Sequence, residues 1–170
     1  MSHVTVFSPR REAIAMAAMR RHNARLSATV AGYTQALITA VSLHRGSAAE
    51  RVRLELWEWC RAELHDHAEA EERDLLSRAA DEADGDRVAV TLRGEHETLE
   101  RLVDELGVAE DGVQAVAVAS AIRAVLEGHL ARENEQLLPL LARSPYVSLA
   151  DLVGGTDALV GPLPEQPAAV

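Results

Sequence analysis

Proline is absent between Pro9 and Pro139. Proline interrupts a helix because it lacks an amide donor and its ring clashes with the preceding turn, so a long proline-free run is where long helices can form. Three breaks divide this run: Arg45-Gly46-Ser47, the stretch from Asp81 to Asp86 with Gly85, and the stretch from Gly107 to Gly112. They leave four helical segments, roughly 11–44, 49–80, 87–106 and 113–141. Each carries a stripe at helical spacing. In the first the stripe is Ile14, Ala18, His22, Leu26, Val30, Tyr33 and Leu37, and in the second Leu56, Cys60, Leu64, His67, Glu71 and Leu75. In the third it is Leu92, His96, Leu99, Val103 and Leu106, and in the fourth Val118, Ile122, Val125, His129, Glu133 and Leu137.

Short connections between long helices imply antiparallel neighbours, so the expected fold is an all-α, up-down-up-down four-helix bundle. Composition agrees. The chain is 48% hydrophobic but only 3% aromatic, which suits a core of Ala, Leu and Val packed helix on helix better than a sandwich or barrel. At 170 residues it fits one domain. Residues 1–10 read as a lead and 11–141 as the bundle. Residues 142–170 read as a C-terminal extension, with a short helix near Val147 to Leu152 and a partly disordered tail from Gly154.

Several classes are disfavoured. A net charge of -10 without a basic stripe repels phosphate backbones, so nucleic-acid binding is not expected. The single cysteine, Cys60, rules out an internal disulfide and a cysteine-rich zinc site. No long apolar run marks a secretory signal or a membrane span, which points to a cytoplasmic protein.

The chemistry lies in the stripes. His22, His67, His96 and His129 place one imidazole on the inward face of each helix. Two of them are followed four residues later by glutamate, as His67-Ala-Glu-Ala-Glu71 and His129-Leu-Ala-Arg-Glu133. Residues four apart share a helix face, so each pair can reach one ion or two adjacent ones. Counted from one end of the bundle, the four histidines lie about 9 to 13 residues in, within roughly 6 Å of one level. A single inward histidine is usually a hydrogen-bonded core residue. A buried carboxylate is rarer, because burying it unpaired costs several kcal/mol. Four histidines and two glutamates at one level are an unexplained cost without a cation and a ligand set with one.

Other acidic and histidine residues act as controls. His65 has Arg61, Glu58, Glu69 and Glu72 along its face and reads as solvated, as do Glu69, Glu72 and Glu135. His3 precedes the first helix, and His44 ends it, where a partly positive side chain suits the helix dipole. Glu100 follows His96 by four residues but sits at the edge of its stripe, so it is either a seventh ligand or a flanking surface carboxylate.

From about residue 11 to 141 the chain resembles the hemerythrin-like family, also called the HHE cation-binding domain. The resemblance rests on His22, on His67-x-x-x-Glu71 with Leu75-Leu76, on Glu95-His96-Glu97, and on His129-x-x-x-Glu133 with Leu137-Leu138-Pro139. It implies two irons in the core, with Glu71 and Glu133 bridging, His22 and His67 on one iron and His96 and His129 on the other. Oxygen-carrying members place a histidine where this chain has Glu100, so the carrier pattern is not reproduced. The set looks closer to the iron–sulphur repair branch and other bacterial members.

Each iron would have two imidazoles, two carboxylate oxygens and a bridging oxo or hydroxo group, with a position left open. Mixed nitrogen and oxygen donors suit iron, with manganese as second choice. Three roles follow. The first is binding or scavenging dioxygen, nitric oxide or peroxide, with catalase-like or stress-protective turnover. The second is a di-iron oxidase or oxygenase acting on a small organic substrate. The third is iron storage, donation or sensing. An electron donor is an expected partner, and the chain is expected as a monomer or homodimer.

Overall fold

A computed structural model of the protein describes residues 7–154 and Leu159. The described residues form helices and turns, without strands. Helix α1 spans Pro9–Ser42. Helix α2, residues 46–79, is Gly46–Trp59, His65–Glu71 and Ser77–Ala79 joined by wider π-helical turns at Cys60–Leu64 and Glu72–Leu76. Helix α3 spans Gly85–Gly107. Helix α4 spans Gly112–Ala142, with a third π-helical turn at Glu133–Leu137. A short fifth helix, α5, spans Leu149–Val153 and packs on α1. It lies where a short helix was expected, near Val147 to Leu152, so the described residues form five helices, four long and one short. Its residues Leu149, Ala150 and Val153 are buried with the bundle, so this part of the extension belongs to the core. The expected lead before Phe7 and the tail after Gly154 fall, except for Leu159, outside the described residues.

The four long helices pack in a ring, α1 against α2 and α4, and α3 against α2 and α4. Their ends are defined by local chemistry. His44 takes a left-handed φ of 54°. Its amide donates to the Val41 carbonyl and that of Arg45 to the Ala40 carbonyl, both at 2.9 Å, which closes the open end of α1. The backbone of His44 thus contributes to ending the helix. Arg53, buried in α2, donates to the carbonyls of Leu106 at 2.7 Å and Gly107 at 3.0 Å and caps α3. Asp111 Oδ1 accepts from the Gln114 amide at 2.8 Å and starts α4.

Burial matches the expected stripes on α2 and α3. On α4 it matches except that Val125 is only partly buried, Leu126 taking the inner place. On α1 the stripe turns by one residue. Ala15, Met19, Asn23, Leu26, Val30, Thr34 and Leu37 are buried, whereas Ile14, Ala18, His22 and Tyr33 sit at its margin. The apolar core falls into two clusters. One is centred on Leu37, Leu56, Leu106 and Ile122, the other on Met19, Leu75, Leu92 and Leu137. The candidate ligands lie where the two clusters meet: His96 falls between them on α3, while on α2 Ala70 of the second cluster precedes Glu71 and on α4 Leu130 of the first follows His129.

Helix α4 has the length and apolarity of a membrane span, with a mean hydropathy of 1.2 over its most apolar stretch. It also carries buried His129 and Glu133 and packs on α1 and α3, so its role as a core helix accounts for that composition.

Close approach fixes one glycine. A Cβ on Gly85 would lie 1.8 Å from the Ala79 carbonyl oxygen. Gly85→Ala must therefore push the start of α3 off the end of α2, and is expected to lower the unfolding free energy by about 1–3 kcal/mol. Chemical denaturation followed by circular dichroism measures it; a variant as stable as the parent would show that the turn yields freely.

Candidate metal centre

The two helical repeats His67–Glu71 and His129–Glu133 face each other from α2 and α4. One donor atom from each of these four residues lies within 4.8 Å of the others, and all four residues are buried. Glu71 is central. Its Oε2 is 3.1 Å from His96 Nε2, 3.2 Å from His129 Nε2 and 3.6 Å from His67 Nε2. The rings fall into two pairs. His22 and His67 have centroids 5.1 Å apart, and His96 and His129 4.7 Å apart, while His67 and His129 meet edge-on at 6.3 Å. Of the six residues singled out in the sequence, His67, Glu71, His129 and Glu133 form this group, His96 reaches it through Glu71, and His22 touches it through His67.

The controls separate as the stripes suggest. His65 and Glu69 are exposed. Glu100 is exposed too, on the rim of a cleft rather than in the cluster. One reading needs correction. Glu72 is not simply solvated: His96 Nδ1 donates to its Oε1 at 2.8 Å, although the side chain is 43% exposed.

Two further residues escaped sequence reasoning. Asn23 Nδ2 donates to Glu133 Oε2 at 2.8 Å. Its signal was available, since position 23 continues the spacing of Ala15, Met19, Leu26 and Val30, and the polar side chain obscured it. Glu95 places Oε2 3.3 Å from His129 Nδ1 and is itself held by an ion pair with Arg132. Its only sequence signal is adjacency to His96, which faces a different partner.

Electrostatics distribute protons unevenly. Burial drives the His67 imidazole down to about 3. Burial, with Arg25 nearby, takes His22 down to about 4. Burial would raise Glu71, but hydrogen bonds from His129 and His96 outweigh it and hold the carboxyl well below its usual range. Burial and the neighbouring Glu71 charge push Glu133 well above that range. Burial also opposes charge on His129, yet Glu71 and Glu95 carry it up to about 10. At neutral pH the metal-free cluster therefore holds an anionic Glu71, a cationic His129 and neutral His67 and His22, with Glu133 shifted toward its protonated form.

The residues fit a cation. Glu71 Oε1, Glu133 Oε1 and His67 Nε2 are buried without a hydrogen-bond partner. Unsatisfied polar atoms of this kind are costly inside a core, and a coordinated ion satisfies them together. The nitrogen and oxygen donors, without thiolate, suit iron or manganese. A cleft of about 590 Å³ between α2 and α3 leads inward to His67, His96 and His129. Its inner wall is apolar, with Cys60, Leu64, Leu99, Val103 and Leu126, and its rim is charged. The Cys60 thiol is buried, which pushes it up to about 12, so it presents no thiolate to a metal.

No curated protein and no solved structure matches the chain. The hemerythrin HHE cation-binding domain matches residues 15–141, a span that contains all four helices bearing the cluster. By that match over most of its length, the chain belongs to the hemerythrin HHE cation-binding family.

Proposed function

We propose that the chain is a non-haem di-iron protein whose core binds or reacts with dioxygen, nitric oxide or peroxide. The four long helices act as an up-down-up-down bundle around the pair. His22 and His67 serve one iron, His96 and His129 the other, and Glu71 and Glu133 lie between them. Glu100 stays on the rim. The observation that carries this reading is the cleft, which joins solvent to His67, His96 and His129 along an apolar inner wall. When bound, the metal pair supplies Lewis acidity and electron exchange with a small molecule. The chain's own groups do the rest. Glu72 engages His96 at Nδ1, so Nε2, which faces Glu71 at 3.1 Å, is the nitrogen that would turn to a metal. Asn23 fixes one oxygen of Glu133 and leaves the other directed into the cluster. Leu64, Leu99 and Leu126 limit water at the inner end of the cleft.

Protein from iron-fed cells is expected to contain about two irons per chain. After anaerobic reduction, its optical spectrum should change with at least one of dioxygen, nitric oxide and hydrogen peroxide. No response to any of the three would sink the proposal.

The cleft also favours a second reading, oxidation of a small organic substrate, because about 590 Å³ falls within the range of ligand pockets. Ala68→Phe, on the cleft wall, separates the two. It should leave the response to small oxidants within about twofold while abolishing turnover of any bulkier substrate.

Metal loading should release protons, because His129 carries an extra one in the metal-free chain and coordination requires its lone pair. At least about one proton per chain is expected near neutral pH, read with an indicator dye in weak buffer. Stability of the metal-free chain follows the titrating groups of the cluster. His67 and His22 fall below the ordinary value of 6.5, so the folded state binds fewer protons than the unfolded one and stability rises with pH from about 3 to 6.5. His129 lies above it, so the folded state binds more, and stability falls between 6.5 and about 10. The raised Glu133 opposes the rise on the acid side, so the clear expectation is the fall in thermal melts between pH 6.5 and about 10. A metal-free melting temperature that climbs steadily from pH 6.5 to 10 would contradict the assigned charge on His129.

A further inference from the structure

The four imidazoles are not supported alike. His96 Nδ1 donates to the Glu72 carboxylate at 2.8 Å, which fixes the ring orientation and aims Nε2 at Glu71, 3.1 Å away. His129 Nδ1 lies within ion-pair reach of the Glu95 carboxylate at 3.3 Å, without the alignment of a hydrogen bond, and Arg132 holds Glu95 in place. A carboxylate behind a ligating imidazole orients the ring and raises its basicity toward a metal. Both members of this pair have one.

The other pair has none among its described contacts. His67 Nδ1 and His22 Nε2 are 3.2 Å apart, so one ring donates to the other and a nitrogen lone pair is used up between them. Where His67 is the donor, His67 Nε2 is the free nitrogen, and the Nε2 lone pair of His22 is occupied. His22 can then coordinate through that atom only after the bond breaks. Behind it, Nδ1 faces the Arg25 guanidinium at 3.5 Å, a cation that cannot raise the basicity of the ring. His22 also sits at the margin of the α1 stripe, half-buried, where water competes.

We propose that Glu72 and Glu95 are positioning residues that make the two metal positions unequal. The position served by His96 and His129 fills first and tightly. The position served by His67 and His22 fills second and exchanges. This rests on the two-metal reading above and adds an order of loading and a labile half to it. In that design His22 alternates between hydrogen-bond partner of His67 and metal ligand.

The test is calorimetric titration of the metal-free full chain with Co²⁺. Two steps are expected, with affinities at least about tenfold apart. Glu72→Gln keeps an acceptor but removes the charge, and it and Glu95→Gln should each weaken the first step by about 10–100-fold. His22→Ala should abolish the second step and leave the first within about twofold. Glu69→Gln, on the same exposed rim, controls for general loss of negative charge and should leave both steps unchanged. A single step of two equal sites, a first step lost in His22→Ala, or equal weakening by Glu69→Gln and Glu72→Gln would each overturn the inequality. Absence of any cobalt binding would instead remove the two-metal reading on which it rests.

Discussion

Two carboxylates with no exposed surface, Glu71 and Glu133, sit in the middle of an apolar bundle. Everything near them follows from that constraint. Two like charges at close range in a core cannot both persist without compensation. The protein answers in part on its own. Glu71 keeps its charge because three imidazoles face one of its oxygens, and the affinity of Glu133 for a proton is raised well above the ordinary carboxylate range. That arrangement still leaves one oxygen of each without a partner. The apoprotein is thus organised around a deficit of positive charge, and cation binding is the interaction that removes it.

The backbone bends to this constraint as well. The three π-helical turns lie just ahead of His67, directly after Glu71, and at Glu133 itself. Such wide turns inside α-helices are uncommon and concentrate at functional sites. Each adds a residue to a turn, which lets a helix present ligands to the centre and then return its apolar face to the core. Leu75, Leu76, Leu137 and Leu138 are all fully buried directly beyond the ligands.

Much of this was legible in the sequence, because burial at helical spacing is a strong signal. The long helices, the His-x-x-x-Glu repeats and the common depth of the histidines all follow from it. What was not legible depended on interactions across helices. The α1 stripe was displaced by one residue because Asn23 and Thr34 are polar and break the apolar pattern, although both are buried. Asn23 earns its place through Glu133, 110 positions away. Glu72 looked solvated because it is partly exposed, and only the position of His96 on α3 reveals its task. The π-helical turns leave no mark in a pattern with a period near 3.6. The fifth helix is held by Ser148, whose hydroxyl donates to the buried Glu12 carboxylate at 2.6 Å, a pairing that no local pattern announces.

The polar layer lies where the two apolar clusters meet, with Leu130 of one and Ala70 of the other among its residues. Its side chains tie helices together without any ion: His96 and His129 reach Glu71 from α3 and α4, and Asn23 reaches Glu133 from α1. A bound cation would add a cross-link at this level, so its release would loosen the joint between the two clusters, and local opening there would show as faster hydrogen exchange.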